Sequence, residues 1–115
     1  MFTLTIYSCS ELSSKDSRKE YILENKKVLD LVVQKLLDKE WDVENAYSYL
    51  DQHGLKLTIN EVRQEEKIVS FMIDGMLDNC TGIAYSRLGL EAHICGGNTK
   101  DWEMLIENWY FLNSI

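Results

Sequence analysis

The spacing of apolar residues changes period along this chain, and that change decides the class of fold open to it. Phe2, Leu4 and Ile6 alternate with Thr3, Thr5 and Tyr7, the period of two expected when successive side chains point to opposite faces of a strand. From residue 17 the period lengthens. Ile22, Val28, Leu29, Leu31, Val32 and Leu36, with Tyr21 and Leu37 at the margins, recur near the 3.6-residue repeat of a helix. Ser17 and Glu20 precede this stripe at capping-box spacing, so each side chain can accept from the other's backbone N–H. Lys35 and Lys39 suit the negative pole at its far end. One long helix to about Lys39 is predicted.

A shorter helix is predicted over Val43–Gln52. Asp42 stands at its N-cap, Gly54 closes it, and Val43, Ala46, Tyr47 and Leu50 form one apolar face. Alternation returns at Leu55, Leu57 and Ile59, followed by a charged turn at Arg63–Glu66 and a return strand at Ile68–Ile73. The pairs Asp74-Gly75 and Asp78-Asn79, then Gly82, Gly89, Gly96 and Gly97, punctuate the next stretch. Between them Thr81–Tyr85 and Leu88–Cys95 read as strands. Thr99 is placed to cap a closing helix with Asp101 and Glu103 in its first turn. Its buried stripe would be Trp102, Leu105, Ile106, Trp109 and Leu112. The expected architecture is α+β: a single domain over 1–115, with an antiparallel sheet of four or five strands packed against two N-terminal helices and one C-terminal helix.

At 115 residues and 45% hydrophobic content the chain can build a core without metal or disulfide staples. Cys9, Cys80 and Cys95 are odd in number and lack repeated spacing, which fits a reducing compartment better than a secreted disulfide framework. Met1–Cys9 alternates, and Glu11, Lys15 and Asp16 follow too soon for a signal-peptide core. No apolar run approaches the ~20 residues that span a bilayer. These features lead to the expectation of a soluble, cytoplasmic protein.

Charge is distributed unevenly. Residues 1–39 hold seven Lys/Arg and six Asp/Glu, whereas residues 40–115 hold five and thirteen. That excess of acid disfavours nucleic acid and anionic lipid as partners and favours a basic protein surface.

Motifs for chemistry are sparse. His93 and Cys95 lie two apart, so on a strand an imidazole and a thiol would share a face, as a nucleophile–base pair or half a zinc site requires. Zinc sites carry a second ligand couple, and none is present, so a buried thiol beside an ordinary histidine is the simpler account. His53 sits where a helix C-terminus favours a cation. The glycines match neither phosphate-binding spacing, G-x-x-x-x-G-K-[ST] or G-x-G-x-x-G, and no cofactor is expected. Paired carboxylates are too many for any one pair to signal acid–base catalysis.

The expected function is therefore a non-catalytic one: a small acidic protein that binds and neutralises a basic partner, in the manner of a bacterial immunity protein against a nuclease-like toxin. Its expected contact residues are Glu61, Glu65, Glu66, Asp74 and Asp78 around strand ends, with Asp42, Glu44 and Tyr49 on the second helix, and Tyr85. Tyrosine qualifies because it buries large area for little lost rotamer freedom. Two alternatives stand beside this: a regulatory or structural interaction module, homodimeric through a strand edge such as Phe2–Tyr7, and a small cysteine-dependent enzyme using Cys95 with His93.

Overall fold

The computed structural model describes residues 14–73, 81–94 and 99–114. The expected Phe2–Tyr7 strand lies outside them, as do Asp74, Asp78 and all three cysteines. Among these residues three helices come first: α1 (Lys15–Glu24), α2 (Lys26–Leu37) and α3 (Val43–Gln52). Five strands follow: β1 (Leu57–Arg63), β2 (Ile68–Ile73), β3 (Thr81–Ser86), β4 (Thr99–Ile106) and β5 (Trp109–Ser114). They form one antiparallel sheet in the order β1-β2-β3-β5-β4, so the fold is α+β.

The single long helix of the sequence reading is two helices. Continuing the inward stripe of Arg18 and Ile22 toward Leu29 puts Asn25 on the buried face, where its amide must find a partner. Asn25 Nδ2 donates to the Tyr21 carbonyl at 2.9 Å, and φ −115° ends α1 there. A side chain that offers the backbone an alternative hydrogen bond interrupts a helix in this way. The N-cap is Ser14, whose Oγ accepts from Ser17 N at 3.1 Å, rather than Ser17. The second expected helix has the boundaries of α3, with Asp42 as its cap.

The expected closing helix is the β4–β5 hairpin. Trp102, Leu105, Ile106, Trp109 and Leu112 fit a helical stripe, but Trp109-Tyr110-Phe111-Leu112 is also an unbroken apolar run rich in β-favouring residues. All four are buried, as a strand covered on both faces requires. Asn108, in the left-handed region at φ 69°, makes the reversal, a conformation asparagine tolerates better than most residues. β1 starts at Leu57, not Leu55, and bulges between Ile59 and Glu61. β2 and β3 lie where the sequence places them.

Both sheet faces are covered. Leu57, Val69, Phe71, Ile73, Ile83 and Trp109 meet α1–α3 through Ile22, Leu29, Val32, Val33, Leu36 and Leu50. The opposite face presents Ile68, Ala84 and Leu112, packed with Ala92 and Ile94. Topology explains that second layer. β3 and β4 each pair antiparallel with β5 and so run in the same direction. The chain leaving β3 must therefore travel back along the sheet before β4 can begin.

Residues 87–94 make that return as a strap, and the expected Leu88–Cys95 strand is not formed in its described part. Side chains of the sheet take the strap's carbonyls in place of a ladder. Ser86 Oγ donates to Leu90 O at 2.6 Å, Arg63 Nη2 to Glu91 O at 2.9 Å, and Thr99 Oγ1 to Ala92 O at 2.7 Å. Asn60 Nδ2 and Ser70 Oγ both donate to His93 O, at 3.0 and 3.3 Å.

Among the described residues one charge is buried in this framework. Arg18 is 1% exposed, with its guanidinium 4.0 Å from the centre of the Phe111 ring. Its Nη1 donates to the carbonyls of Gly82 and Leu112 at 3.1 and 3.2 Å, joining α1 to the start of β3 and the far part of β5. Burial pushes its pKa down to about 10, with Asp101 opposing that shift, so the group stays charged at neutral pH.

Candidate interaction surface

The outer face of α3 gathers the features a docking surface needs. Asp42 Oδ1 accepts from Asn45 N at 2.8 Å, and Asn45 Oδ1 accepts from Asp42 N at 3.3 Å. This reciprocal cap fixes where the helix begins and therefore which residues face out. Tyr47, at the inner margin, accepts from Ile59 N at 2.8 Å through its hydroxyl, which ties α3 to β1 at the bulge. Glu44, Ser48 and Asp51 then form one exposed stripe, with Asn45 and Tyr49 beside it.

A ladder of rings runs along this surface. Tyr49 meets Trp41 edge-on at 5.2 Å and His53 edge-on at 4.6 Å, and Trp41 and Tyr49 are half-buried. Rings held this way have little rotamer freedom left to lose on binding. Around them Asp38, Glu40, Asp42, Glu44 and Asp51 are all exposed, with Lys39 among them. Glu40 is paired with Lys35. Val43, 42% exposed, adds an apolar contact.

The β1–β2 hairpin is different. Arg63 holds Glu61 (Nε–Oε1, 3.2 Å) and Glu66 (Nη1–Oε2, 2.8 Å) on its two sides. Two of the expected contact carboxylates thus share one guanidinium and are committed to closing the turn. Glu65 is exposed and makes no ion pair among the described residues.

Tyr85 lies elsewhere again. Its ring packs edge-on against Trp109 at 5.6 Å, and it lines a cleft of about 360 Å³ with Lys26, Asp30, Gln34, Glu107 and Asn108. Asp30 in that cleft is satisfied by Lys26 Nζ at 2.5 Å and Trp109 Nε1 at 3.0 Å.

No family model, curated protein or solved structure matches the chain. Function must therefore be argued from geometry. The expected site residues do not converge on one place: Asp42, Glu44 and Tyr49 share α3, Glu61, Glu65 and Glu66 share the hairpin, and Tyr85 belongs to the cleft. His93 is exposed, with Nδ1 3.2 Å from Thr99 Oγ1, while its carbonyl anchors the strap. Among the described residues no group of three His, Cys, Asp or Glu could hold a metal ion. No described helix is long and apolar enough to cross a membrane. Sequence reasoning overlooked His53 as a ring partner, although its i,i+4 spacing from Tyr49 signals it. Asp38 and Glu40 were overlooked too, because no spacing in the sequence marks them.

Proposed function

We propose that this is a small acidic protein-binding protein that docks onto a basic partner through the outer face of α3. The observation that carries this reading is the co-location of a fixed aromatic ladder with carboxylates that, apart from Glu40, form no ion pair among the described residues. Aromatic anchors supply buried area, and the acidic rim accelerates encounter by roughly 10–10³-fold and sets the sign of the partner. A nuclease fits this partner class, since its active cleft must be positive to hold phosphates, and a rigid acidic helix face can occupy such a cleft. An inhibitor of a nuclease-like toxin, acting as an immunity protein, is the specific form of the proposal.

The test measures binding to, and inhibition of, a panel of basic nuclease domains, including any encoded beside this gene. The expected result is salt-sensitive binding whose association rate falls about tenfold in Glu44→Lys/Asp51→Lys, with the melting temperature unchanged. Binding that ignores both salt and those reversals would remove the proposal. So would failure to bind any member of the panel.

A further inference from the structure

The edge of the sheet farthest from β1 has its own recognition chemistry. Among the described residues β4 is an edge strand, so alternate N–H and C=O groups point away from β5. It bulges between Thr99 and Asp101 and again between Met104 and Ile106, which leaves Asp101–Met104 as the regular stretch. Along that stretch chemistry alternates with face.

On the helix side stand Asp101 and Glu103. Asp101 accepts from Asn113 Nδ2 at 3.0 Å, and exposed Glu103 meets Lys15 Nζ at 2.5 Å. On the strap side stand Trp102 and Met104. Trp102 stacks flat on Tyr110, with ring centres 4.4 Å apart and planes inclined by 8°. Met104, opposite Tyr110 in the register, is 60% exposed. The strap extends this apolar area. Leu88 and Leu90 are 62% and 44% exposed, and Gly89 between them lies against the Tyr110 hydroxyl, where a β-carbon would sit 3.5 Å from the oxygen.

We infer that β4 accepts an extended segment of a basic protein as an added strand, with basic residues facing Asp101 and Glu103 and apolar residues facing Trp102 and Met104. Backbone pairing supplies the attachment, and the alternation supplies selectivity. A second copy of this chain fits poorly. Two-fold antiparallel pairing centred on residue 102 sets Asp101 opposite Glu103, and centring on 103 sets Glu103 opposite itself, and like charges directly opposed are destabilising. The carboxylates that discourage self-pairing leave the edge open to a strand of opposite sign. This inference rests on the reading of a basic partner given above but assigns it a second surface, at the other end of the sheet from the α3–β1 contact.

The experiment titrates the full isotope-labelled chain with a blocked hexapeptide of alternating lysine and valine, and with its glutamate–valine counterpart. Backbone amides are followed by NMR and hydrogen exchange. The expected result is shift and protection at Asp101–Met104, with the acidic peptide at least about tenfold weaker. Glu103→Lys should weaken the basic peptide about tenfold and leave the melting temperature in place, since its exposed pair with Lys15 contributes little to stability. Perturbation confined to α3 would overturn the β4 inference and leave the α3 proposal standing. Absence of any shift would overturn it as well, while the nuclease panel tests α3 separately. A doubled mass in solution, or Asp101–Met104 amides already protected in the free monomer, would mean that a second copy or residues 1–13 cover this edge, and would equally overturn it.

Discussion

Gly82 shows how one residue without a side chain sets the spacing of the sheet. A β-carbon at this position would lie 2.1 Å from the Phe71 carbonyl oxygen and 3.1 Å from its carbon. Both are backbone atoms of the neighbouring strand, so no rotamer change relieves the clash. Gly82 also lends its carbonyl to Arg18. Gly82→Ala should therefore cost about 3 kcal/mol in urea unfolding, near the upper end for overpacking. A cost under about 0.5 kcal/mol, the ordinary range for a surface change, would show that β2 and β3 can separate at this point. The sequence places Gly82 inside the Thr81–Tyr85 strand, but its need to be glycine depends on how closely Phe71 approaches. Arg18 was equally illegible. It stands one helical turn before Ile22 on the apolar stripe, and only the Gly82 and Leu112 carbonyls, at the start of β3 and toward the end of β5, explain a guanidinium there.

Elements were legible where local chemistry and tertiary demand agree. Asp42, Asn45 and Gly54 bracket α3, and its limits follow from caps that act within a few residues. β2 was equally readable from Ile68–Ile73. The β4–β5 hairpin was not, because an apolar run in a strand covered on both faces has no period to distinguish it from a helix. The strap was misread for a related reason: Ala92 and Ile94 alternate like a strand, yet they fill the second face while donors from four other segments occupy the backbone. The junction of α3 and β1 offers a measurable consequence. Tyr47→Phe leaves Ile59 N without its acceptor at the bulge, which should cost about 1–2 kcal/mol. Amide exchange should quicken at Ile59 and its neighbours, with α1 and α2 unaffected. Uniform acceleration across all helices would show instead that the phenol supports the whole core.

At the scale of the molecule, the net charge of −7 sets a self-repulsion that the few ion pairs only partly relieve. Lys15–Glu103, Lys26–Asp30, Lys35–Glu40 and the Arg63 cluster are all at least partly exposed, so each contributes little. Raising sodium chloride from about 0.01 M to about 0.3 M shortens the screening length from about 30 Å to below about 10 Å. The melting temperature should rise by a few degrees, because repulsion among the unpaired carboxylates is screened more than the short pairs are weakened. A fall would mean that the pairs outweigh the repulsion and that the acidic character of α3 has less reach than proposed. The charge imbalance was readable from sequence; its placement was not, since Arg63 pairs with Glu61 and Glu66 on the hairpin, while Glu44 and Asp51 on α3 stay outside any ion pair among the described residues.

The strand order carries one more consequence, for assembly. β5 is synthesised after the other four described strands yet lies inside their sheet, between β3 and β4, and it brings the fully buried Trp109. Until it inserts, β3 and β4 both lack the strand that pairs with them, and the helices lack the indole they close over. Nascent chains that stop short of residue 109 should therefore stay protease-sensitive throughout, because the keystone arrives after the arch it locks.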